Sequence, residues 1–452
     1  MADTNGQMIV WKGSATMSDT AGNLLFYTNG IQVWNKNHQI MPNGNFLINS
    51  YSPVAPTQIL AVPKPGSSNL YYIFYTQFGT QLLAYVELVY AIVDMNQDGG
   101  LGDVVSQQNH ILNGVNEKIT AIPKNKSSDI WIVTMKFHTN SFYTYLLTNS
   151  GIDTIPQGIY NLGKVDNIGD GYLKPSLDGT KIAAGFDDSG NDGKLELMNF
   201  DNSTGILSDP LVFPSCKCDC YGLQFSSDGN KLYSAVLYYG LTGNSAGNAL
   251  YQYNLAMGDS ASIINSKIVL DSIFVNPNDT VNPDPVYGFC YVLQLASDGK
   301  IYGPKYQTPK ICAISYPNLL GTACNYIDSA VYLNSRTCEI GFPEFLSSYF
   351  YTDTSTAISE NFNQNKIIKV YPNPIISNAI IEILDYNKNI KHINIEVYDI
   401  IGKKYNIDYS VISDNGKTLR LSITTGNLSS GLYLLKATIN KETYSQKIIL
   451  TN

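Results

Sequence analysis

The stretches PSLDGTKIAAG (175–185), FSSDGNKLYSA (225–235) and LASDGKIYG (295–303) repeat one pattern: a short strand, a turn containing Asp-Gly, and an apolar strand. Three related copies have other turn residues: PKPGSSNLYYIFYT (63–76), PKNKSSDIWIVTMKF (123–137) and MSDTAGNLLFYTNG (17–30). A turn dipeptide flanked by alternating apolar residues is the signature of a β-hairpin. The sequence therefore predicts a series of hairpins along most of the chain.

Further strand-like segments follow these hairpins, for example KLELMNFD (194–201) and ALYQYNLA (249–256). Four strands repeated every 45 to 70 residues or so are typical of β-propeller blades, which stack radially around an axis. We expect residues 1–351 to form a propeller of six or seven blades. We favour seven, with one blade built from both ends of the domain and completed near GFPEFLSSYF (341–350).

The composition also favours an all-β protein. Among the 452 residues are 33 Tyr, 36 Gly and 19 Pro, while charged residues make up 15%. Tyr suits half-buried pleated surfaces, and Gly and Pro suit turns. The length favours two domains, because single hydrophobic cores stop growing at about 250–300 residues.

Charge and hydropathy exclude two classes of partner. The net charge is −8 and the two arginines are Arg336 and Arg420, so a clustered basic surface for nucleic acid is not expected. No stretch of about 18 apolar residues is present, so we expect no membrane-spanning helix. The start, MADTNGQMIVWKG, has no basic region followed by an apolar run and thus no signal peptide.

The C-terminal part has a different organisation. The polar segment TDTSTAISENFNQNK (352–366) is interpreted as a linker. After it, alternating apolar residues return in AIIEIL, HINIEVYD, TLRLSIT, GLYLLKATI and YSQKIIL. About seven short strands of this kind predict a small Ig-like β-sandwich over residues 367–452.

Four motifs in this sandwich resemble the type A sorting domain of the type IX secretion system of Bacteroidetes. They are YPNP (371–374), VYDIIGK (397–403), LSSGLYLLK (428–436) and KIIL (447–450). The sorting-signal residues that this resemblance implies are Tyr371, Pro372, Asn373, Pro374, Tyr398, Asp399, Gly402, Lys403, Gly431, Tyr433, Lys436 and Lys447.

The N-terminal part resembles secreted Bacteroidetes proteins with WD-repeat-like propellers. The matching segments are residues 15–44, 62–74, 171–183 and 324–333. The two resemblances together imply a secreted or outer-membrane surface protein whose partners are the type IX translocon and a sortase-like peptidase. They also imply cleavage near the linker and attachment to lipopolysaccharide. Since such cargo carries a signal peptide, they imply that this sequence is truncated at its N-terminus.

One acidic loop is a weak calcium candidate. In DMNQDGGLGDV (94–104), Asp94, Asn96 and Asp98 have the alternation of the first half of an EF-hand loop. The twelfth position is Val105, so the bidentate glutamate is missing, and a plain hairpin connection is the favoured alternative. The acidic turn DDSGNDG (187–193) has the same ambiguity. No other cofactor is expected.

The seven cysteines include the triplet in CKCDC (216–220). A structural zinc site pairs CxxC units with further Cys or His at matching spacing, and the chain has four histidines. Disulfides or buried thiols are therefore the favoured alternatives to zinc. Trp34 and Trp131 lie in alternating apolar runs, which indicates core packing rather than sugar binding.

No catalytic motif stands out, because neither G-x-S-x-G nor H-E-x-x-H occurs. We therefore expect a non-catalytic binding or adhesion module, not an enzyme, that contacts an unidentified glycan or protein. The alternative is a secreted polysaccharide hydrolase or lyase with its site in the propeller funnel. An acidic pair at the funnel with a raised pKa on one member would favour the enzyme, whereas an apolar funnel would favour the module.

Overall fold

The computed structural model describes residues 6–10, 12–19, 21–45, 47, 58–78, 86–187, 193–214, 218–239, 245–274, 288–334, 336–346, 349, 368–384, 392–399, 403–425, 428–439 and 442–451. The chain divides into two compact units, Met1–Thr352 and Asp353–Asn452. The linker predicted at 352–366 lies outside the described residues.

The N-terminal unit contains six sheets of mainly antiparallel strands within the described residues, arranged in chain order. The first three sheets comprise β1 (Ser14–Ser18), β2 (Leu24–Thr28), β3 (Gln32–Asn35) and β4 (Ile40–Asn45); β5 (Leu60–Pro63), β6 (Leu70–Phe78), β7 (Val86–Asp94) and β8 (Asp103–Asn113); and β9 (Val115–Pro123), β10 (Ile130–Lys136), β11 (Ser141–Thr148), β12 (Gly151–Ile152) and β13 (Gly158–Asn161).

The next three sheets each have four strands. They comprise β14 (Leu173–Pro175), β15 (Lys181–Phe186), β16 (Lys194–Asp201) and β17 (Ile206–Val212); β18 (Cys218–Phe225), β19 (Lys231–Tyr239), β20 (Ser245–Asn254) and β21 (Ile268–Phe274); and β22 (Gln294–Leu295), β23 (Ile301–Pro304), β24 (Lys310–Ile314) and β25 (Tyr326–Tyr332). Helix α1 (Ser260–Asn265) and short 3₁₀ turns at Asp98–Gly100, Leu255–Met257 and Gly321–Cys324 lie between strands.

The predicted Asp-Gly hairpins are confirmed. In the turn between β14 and β15, Asp178 accepts a hydrogen bond from the Ser176 hydroxyl at 2.5 Å, and Gly179 has a φ of +67°. The turn between β18 and β19 repeats this geometry with Ser226, Asp228 and Gly229. A positive φ favours glycine, which explains why the dipeptide marks each turn.

The first strands of successive sheets contact one another, in the order β1, β5, β9, β14, β18 and β22. Sheets whose strands follow one another in sequence, and whose first strands contact each other, are typical of a propeller. A short strand β26 (Pro343–Glu344) pairs in parallel with β1, so the first sheet contains residues from both ends of the unit. The described residues contain no seventh sheet in this unit, and the blade count stays a prediction.

Apolar side chains of neighbouring sheets pack together to form the core of this unit. Trp131 is 3% exposed and packs in a cluster with Phe200, while Trp34 is 5% exposed and stacks on Tyr27. The prediction that both tryptophans serve packing is confirmed.

The C-terminal unit consists of two four-stranded sheets. One has the order β27 (Ile368–Tyr371), β28 (Asn378–Leu384), β32 (Thr418–Thr424) and β31 (Tyr409–Asp414), and the other has the order β30 (Lys404–Asn406), β29 (Ile393–Asp399), β33 (Gly431–Ile439) and β34 (Glu442–Leu450). Alternate residues of both sheets, including Ile381, Leu421, Val397 and Leu435, form one buried core. Its assignment as Ig-like stays a prediction.

Among the described residues, no helix is long and apolar enough to cross a membrane.

Candidate functional site

The first and last sorting motifs lie together in the C-terminal unit. Asn373 accepts a hydrogen bond from the backbone N–H of Ile449 at 2.8 Å and donates one to the carbonyl of Lys447 at 3.1 Å. Next to it, Ile375 exchanges backbone hydrogen bonds with Ile449 and Thr451. The segment that contains YPNP therefore covers part of the free edge of β34, as edge strands in native proteins require.

Three sorting-signal residues share one face of the second sheet. Tyr398 lies opposite Leu434, which lies opposite Lys447, and Lys436 is two residues beyond Leu434. Leu432, Leu434 and Ile449 on this face are 42–48% exposed. The structure thus gathers apolar and lysine side chains on a surface that is available to a partner.

The remaining sorting-signal residues have mostly local structural roles. Asp399 accepts hydrogen bonds from the Lys403 backbone at 2.9 Å and the Tyr405 hydroxyl at 3.1 Å. Tyr433 is buried and donates to the Ser429 carbonyl, at the turn before Gly431. The Tyr371 hydroxyl donates a hydrogen bond to the Glu382 carboxylate. The peptide bonds that precede Pro372 and Pro374 are both cis. Gly402 lies outside the described residues.

In the N-terminal unit, three charged side chains from different elements meet beside the first strands of the sheets. Lys12 precedes β1, Glu117 lies on β9, and Asp170 precedes β14. The Lys12 ammonium nitrogen is 2.8 Å from Asp170 Oδ2 and 3.5 Å from Glu117 Oε2. The side chains of Lys12, Glu117 and Asp170 are 15%, 21% and 30% exposed, so all three are partly exposed to solvent. We call these three residues the carboxyl cluster.

Glu117 has a strongly shifted pKa. Burial raises the pKa of its carboxyl group to about 8, with Lys12 opposing the shift and the Asp170 charge adding to it. Its Oε2 is shielded from solvent and accepts no hydrogen bond from the described part of the chain. At neutral pH Glu117 therefore keeps its proton, next to Asp170 and the Lys12 ammonium.

A buried ion pair braces the loop that carries Asp170. The Lys118 ammonium donates to Asp166 Oδ2 at 2.8 Å and to the carbonyls of Asp170 at 2.6 Å and Gly169 at 3.3 Å. Asn116 donates to the same oxygen of Asp166 at 2.8 Å. Burial raises the pKa of Asp166, but Lys118 outweighs it and keeps that pKa below its usual value. Three consecutive β9 residues, 116 to 118, thus contact this loop or its Asp170 through their side chains.

Sequence reasoning did not identify this cluster. The available signal was a charged pair, Glu117 and Lys118, at the start of the otherwise apolar strand VNEKITAIP, followed later by the Gly-rich loop DNIGDG (166–171). Neither segment reveals that they meet, because they belong to different sheets.

A second group of polar side chains is buried between the first strands of the sheets. Lys174 on β14 lies 2.6 Å from Glu344 on β26 and donates to Gln294 on β22 at 3.0 Å. Beside them is a cavity of about 30 Å³, also lined by Gln224. This volume suits water rather than a sugar. The Lys174–Glu344 pair therefore joins β14 to β26 inside the unit.

The calcium candidate lies in the β7–β8 turn. Asp94 accepts hydrogen bonds from the backbone of Asn96 at 2.9 Å and the amide of Gln97 at 3.0 Å, and Asp98 begins a 3₁₀ turn. In the described part of the chain, no three His, Cys, Asp or Glu residues are grouped to hold a metal. Asp94 thus serves the turn, and calcium binding stays a weak prediction. Most of DDSGNDG lies outside the described residues.

The cysteines include a disulfide between Cys290 and Cys312. Cys324 and Cys338 are buried thiols, and burial raises the pKa of both. These cysteines agree with the favoured alternatives to zinc.

Comparison with known families identifies the C-terminal unit. Residues 369–451 match the family described as "Secretion system C-terminal sorting domain". These residues are a C-terminal sorting domain. The domain implies secretion or a location at the cell surface, and interaction with the type IX secretion machinery. A search of curated proteins finds no match.

Solved structures similar to the chain are enzymes with low identity to it. They include a Bacteroides fragilis protein assigned as a 6-phosphogluconolactonase (14% identity, TM-score 0.39, covering 83% of this chain and 89% of that one). An exo-β-1,3-galactanase from Phanerochaete chrysosporium has 12% identity, a TM-score of 0.35 and coverage of 98% and 94%. The Niastella koreensis GH74 enzyme has 10% identity, a TM-score of 0.32 and coverage of 97% and 73%.

These comparisons correct one expectation. The prediction that the chain is not an enzyme is wrong, because the similar solved structures are those of a lactonase and glycoside hydrolases. At these identities and TM-scores, the likeness says nothing about a substrate or mechanism for this chain.

Proposed function

We propose that this protein is exported by the type IX system and acts outside the cell as a polysaccharide hydrolase or lyase. The carboxyl cluster would be its catalytic site. The observation that carries this proposal is that the Lys12 ammonium lies within 3.5 Å of both Glu117 and Asp170, at partly exposed positions beside the first strands.

The chemistry follows from the protonation of the pair. Glu117, with a pKa of about 8, keeps its proton at neutral pH and acts as general acid toward a leaving or carbonyl oxygen. Asp170 accepts a proton from water or substrate. Lys12 stabilises the carboxylate and any negative charge that develops beside it.

The proposed export route includes finer steps. The translocon would recognise the sorting domain, a sortase-like peptidase would cleave near residues 352–366, and the N-terminal unit would be joined to lipopolysaccharide. Origin in Bacteroidetes and membership of the WD-repeat-like propellers belong to this proposal.

The catalytic proposal is tested by incubating the purified chain with a panel of plant and microbial polysaccharides. Products are measured as reducing ends, unsaturated uronates, released acids and released alcohols. We expect Glu117→Gln and Asp170→Asn to lower product formation by about 10²-fold or more. The matched variant Glu339→Gln, outside the cluster, should leave activity unchanged. Full activity in both cluster variants would disprove this site.

Export is tested in a gliding Bacteroidetes host that expresses the gene with a signal peptide, with or without residues 367–452. We expect the intact form at the surface or in the medium, and the shortened form in the periplasm. Equal localisation of the two forms would contradict the sorting role.

A further inference from the structure

We propose that a zinc ion binds where β6 ends, β7 begins and β8 ends. Its ligands are Gln77, Glu87, His110 and Asn113, which we call the strand-end cluster. None of these residues belongs to the carboxyl cluster, so this inference does not depend on the proposed function.

The sheet register brings the four residues together. Gln77 on β6 lies opposite Glu87 on β7, and Glu87 lies opposite Asn113 on β8. His110 lies opposite Val89, and a register shift separates its pairing from that of Asn113. In a regular strand, residues three apart point to opposite faces, whereas an irregular register re-aims one of them. The His110 imidazole therefore lies next to Asn113 and Glu87 on one face.

The distances between these side chains suit ligands of one ion. His110 Nε2 is 3.0 Å from Asn113 Oδ1 and 3.8 Å from Glu87 Oε2. Two ligand atoms that are each about 2.1 Å from a zinc ion lie about 3.0–3.8 Å from each other, for angles between about 90° and 130° at the metal. When the imidazole proton is on Nδ1, the lone pair of Nε2 is free to bind the ion beside both oxygens.

The buried Gln77 side chain is an independent observation. Gln77 is 7% exposed, and its Nε2 donates a hydrogen bond to Glu87 Oε1 at 3.2 Å, which leaves Glu87 Oε2 facing His110. Gln77 Oε1 is shielded from solvent and accepts no hydrogen bond from the described part of the chain. A buried amide oxygen without a partner is costly. A cation next to Glu87 supplies the missing partner.

The ligand types favour zinc. Imidazole suits zinc, copper and nickel, whereas magnesium and calcium prefer oxygen ligands alone. Only two ligands of the strand-end cluster are His, Cys, Asp or Glu, which agrees with the absence of a group of three such residues from the described part of the chain. Because two amide oxygens complete the set, we expect weaker binding than at a site of four Cys or His ligands.

The test uses the full chain, purified without a histidine tag, treated with a chelator and titrated with Zn²⁺ by calorimetry. We expect one ion per chain, and an affinity at least about 10-fold lower in His110→Ala, Glu87→Gln and Gln77→Met. His138→Asn is the matched control. It removes another exposed imidazole, and Asn tolerates the positive φ of +56° at that position. It should bind zinc as wild type does.

Two further measurements separate a built site from loose binding. X-ray absorption of the zinc complex should show one imidazole nitrogen with oxygen ligands. Saturating zinc should slow hydrogen exchange in Val86–Asp94 and Asp103–Asn113 and leave Cys218–Phe225 unchanged. His110 and Asn113 are exposed, so His110→Ala and Asn113→Ala should keep the metal-free urea midpoint of wild type. Equal zinc affinity in wild type, His110→Ala and Asn113→Ala would mean an adventitious ion only and would overturn the inference, as would the absence of binding.

Discussion

Asn373 and Ile449, which are 76 residues apart in sequence, are joined by a 2.8 Å hydrogen bond from the Ile449 backbone to the Asn373 side chain. Together with the bond from Asn373 to the Lys447 carbonyl, it attaches the first sorting motif to the last. The first and last sorting motifs therefore belong to one folded surface of the C-terminal unit.

Asn373→Ala removes both hydrogen bonds at the edge of β34. Because both are exposed, we expect a loss of about 1 kcal/mol in the stability of the C-terminal unit, and faster cleavage of residues 442–451 by proteases. Limited proteolysis followed by mass spectrometry measures this. The matched variant Asn406→Ala, on β30, should leave the cleavage rate unchanged. Equal rates in wild type and Asn373→Ala would contradict the role of this contact.

The raised pKa of Glu117 predicts how stability depends on pH. Between the ordinary glutamate pKa of 4.5 and about 8, the folded protein keeps a proton that the unfolded chain has lost. Stability therefore falls as pH rises through this window, and this contribution levels off above pH 8. Lys12, Asp170 and Lys118 are the charged groups that act on Glu117.

Glu117→Gln should remove this component. We expect its urea midpoint, relative to wild type, to rise between pH 5 and about 8. Glu339→Gln controls for the general effect of losing a carboxyl group. If the urea midpoints of wild type and Glu117→Gln change in parallel between pH 5 and about 8, the pKa of Glu117 is not raised in the folded protein.

Lys118→Met should strongly destabilise the N-terminal unit. The Asp166 side chain is 1% exposed, and loss of its partner leaves a buried charge unpaired, at a cost of about 3 kcal/mol or more. Urea unfolding measures this. The double variant Lys118→Met/Asp166→Leu should recover part of the loss. Lys300→Met, which breaks an exposed pair with Asp298, should have little effect on stability, because solvent screens that pair.

Lys174→Met tests whether the central ion pair holds β26 against β1. The Glu344 side chain is 8% exposed, so its carboxylate would lose its partner in a shielded position. We expect hydrogen exchange to speed up more in Ser14–Ser18 than in Cys218–Phe225, which serves as the internal reference. A uniform change in both strands would mean that the pair stabilises the whole unit without a local effect.

Local signals in the sequence were sufficient for some of these features. The Asp-Gly turns needed no long-range information, because Ser176, Asp178 and Gly179 form a self-contained turn. The sorting domain was identified from four motifs in order. Trp131 was placed in the core by the alternation of its own strand.

Long-range features were not predictable in the same way. Lys12, Glu117 and Asp170 meet because the segment before β1, the start of β9 and the segment before β14 converge in the fold, and no periodicity of the sequence encodes that meeting. The raised pKa of Glu117 depends on burial by neighbouring elements. The acidic alternation in Asp94, Asn96 and Asp98 shows the opposite case, because a local pattern suited to an ion also suits a turn.

The parallel pairing of β26 with β1 has a consequence for the order of folding. Residues 343–344 are the partner of residues 14–15, so the first sheet stays incomplete until almost the whole N-terminal unit is available. Contacts of such long sequence separation form late. The five other sheets can form before β26 pairs with β1. The ribosome synthesises the chain from its N-terminus. The first sheet can therefore be completed only after residues 343–344 have been synthesised, shortly before the sorting domain.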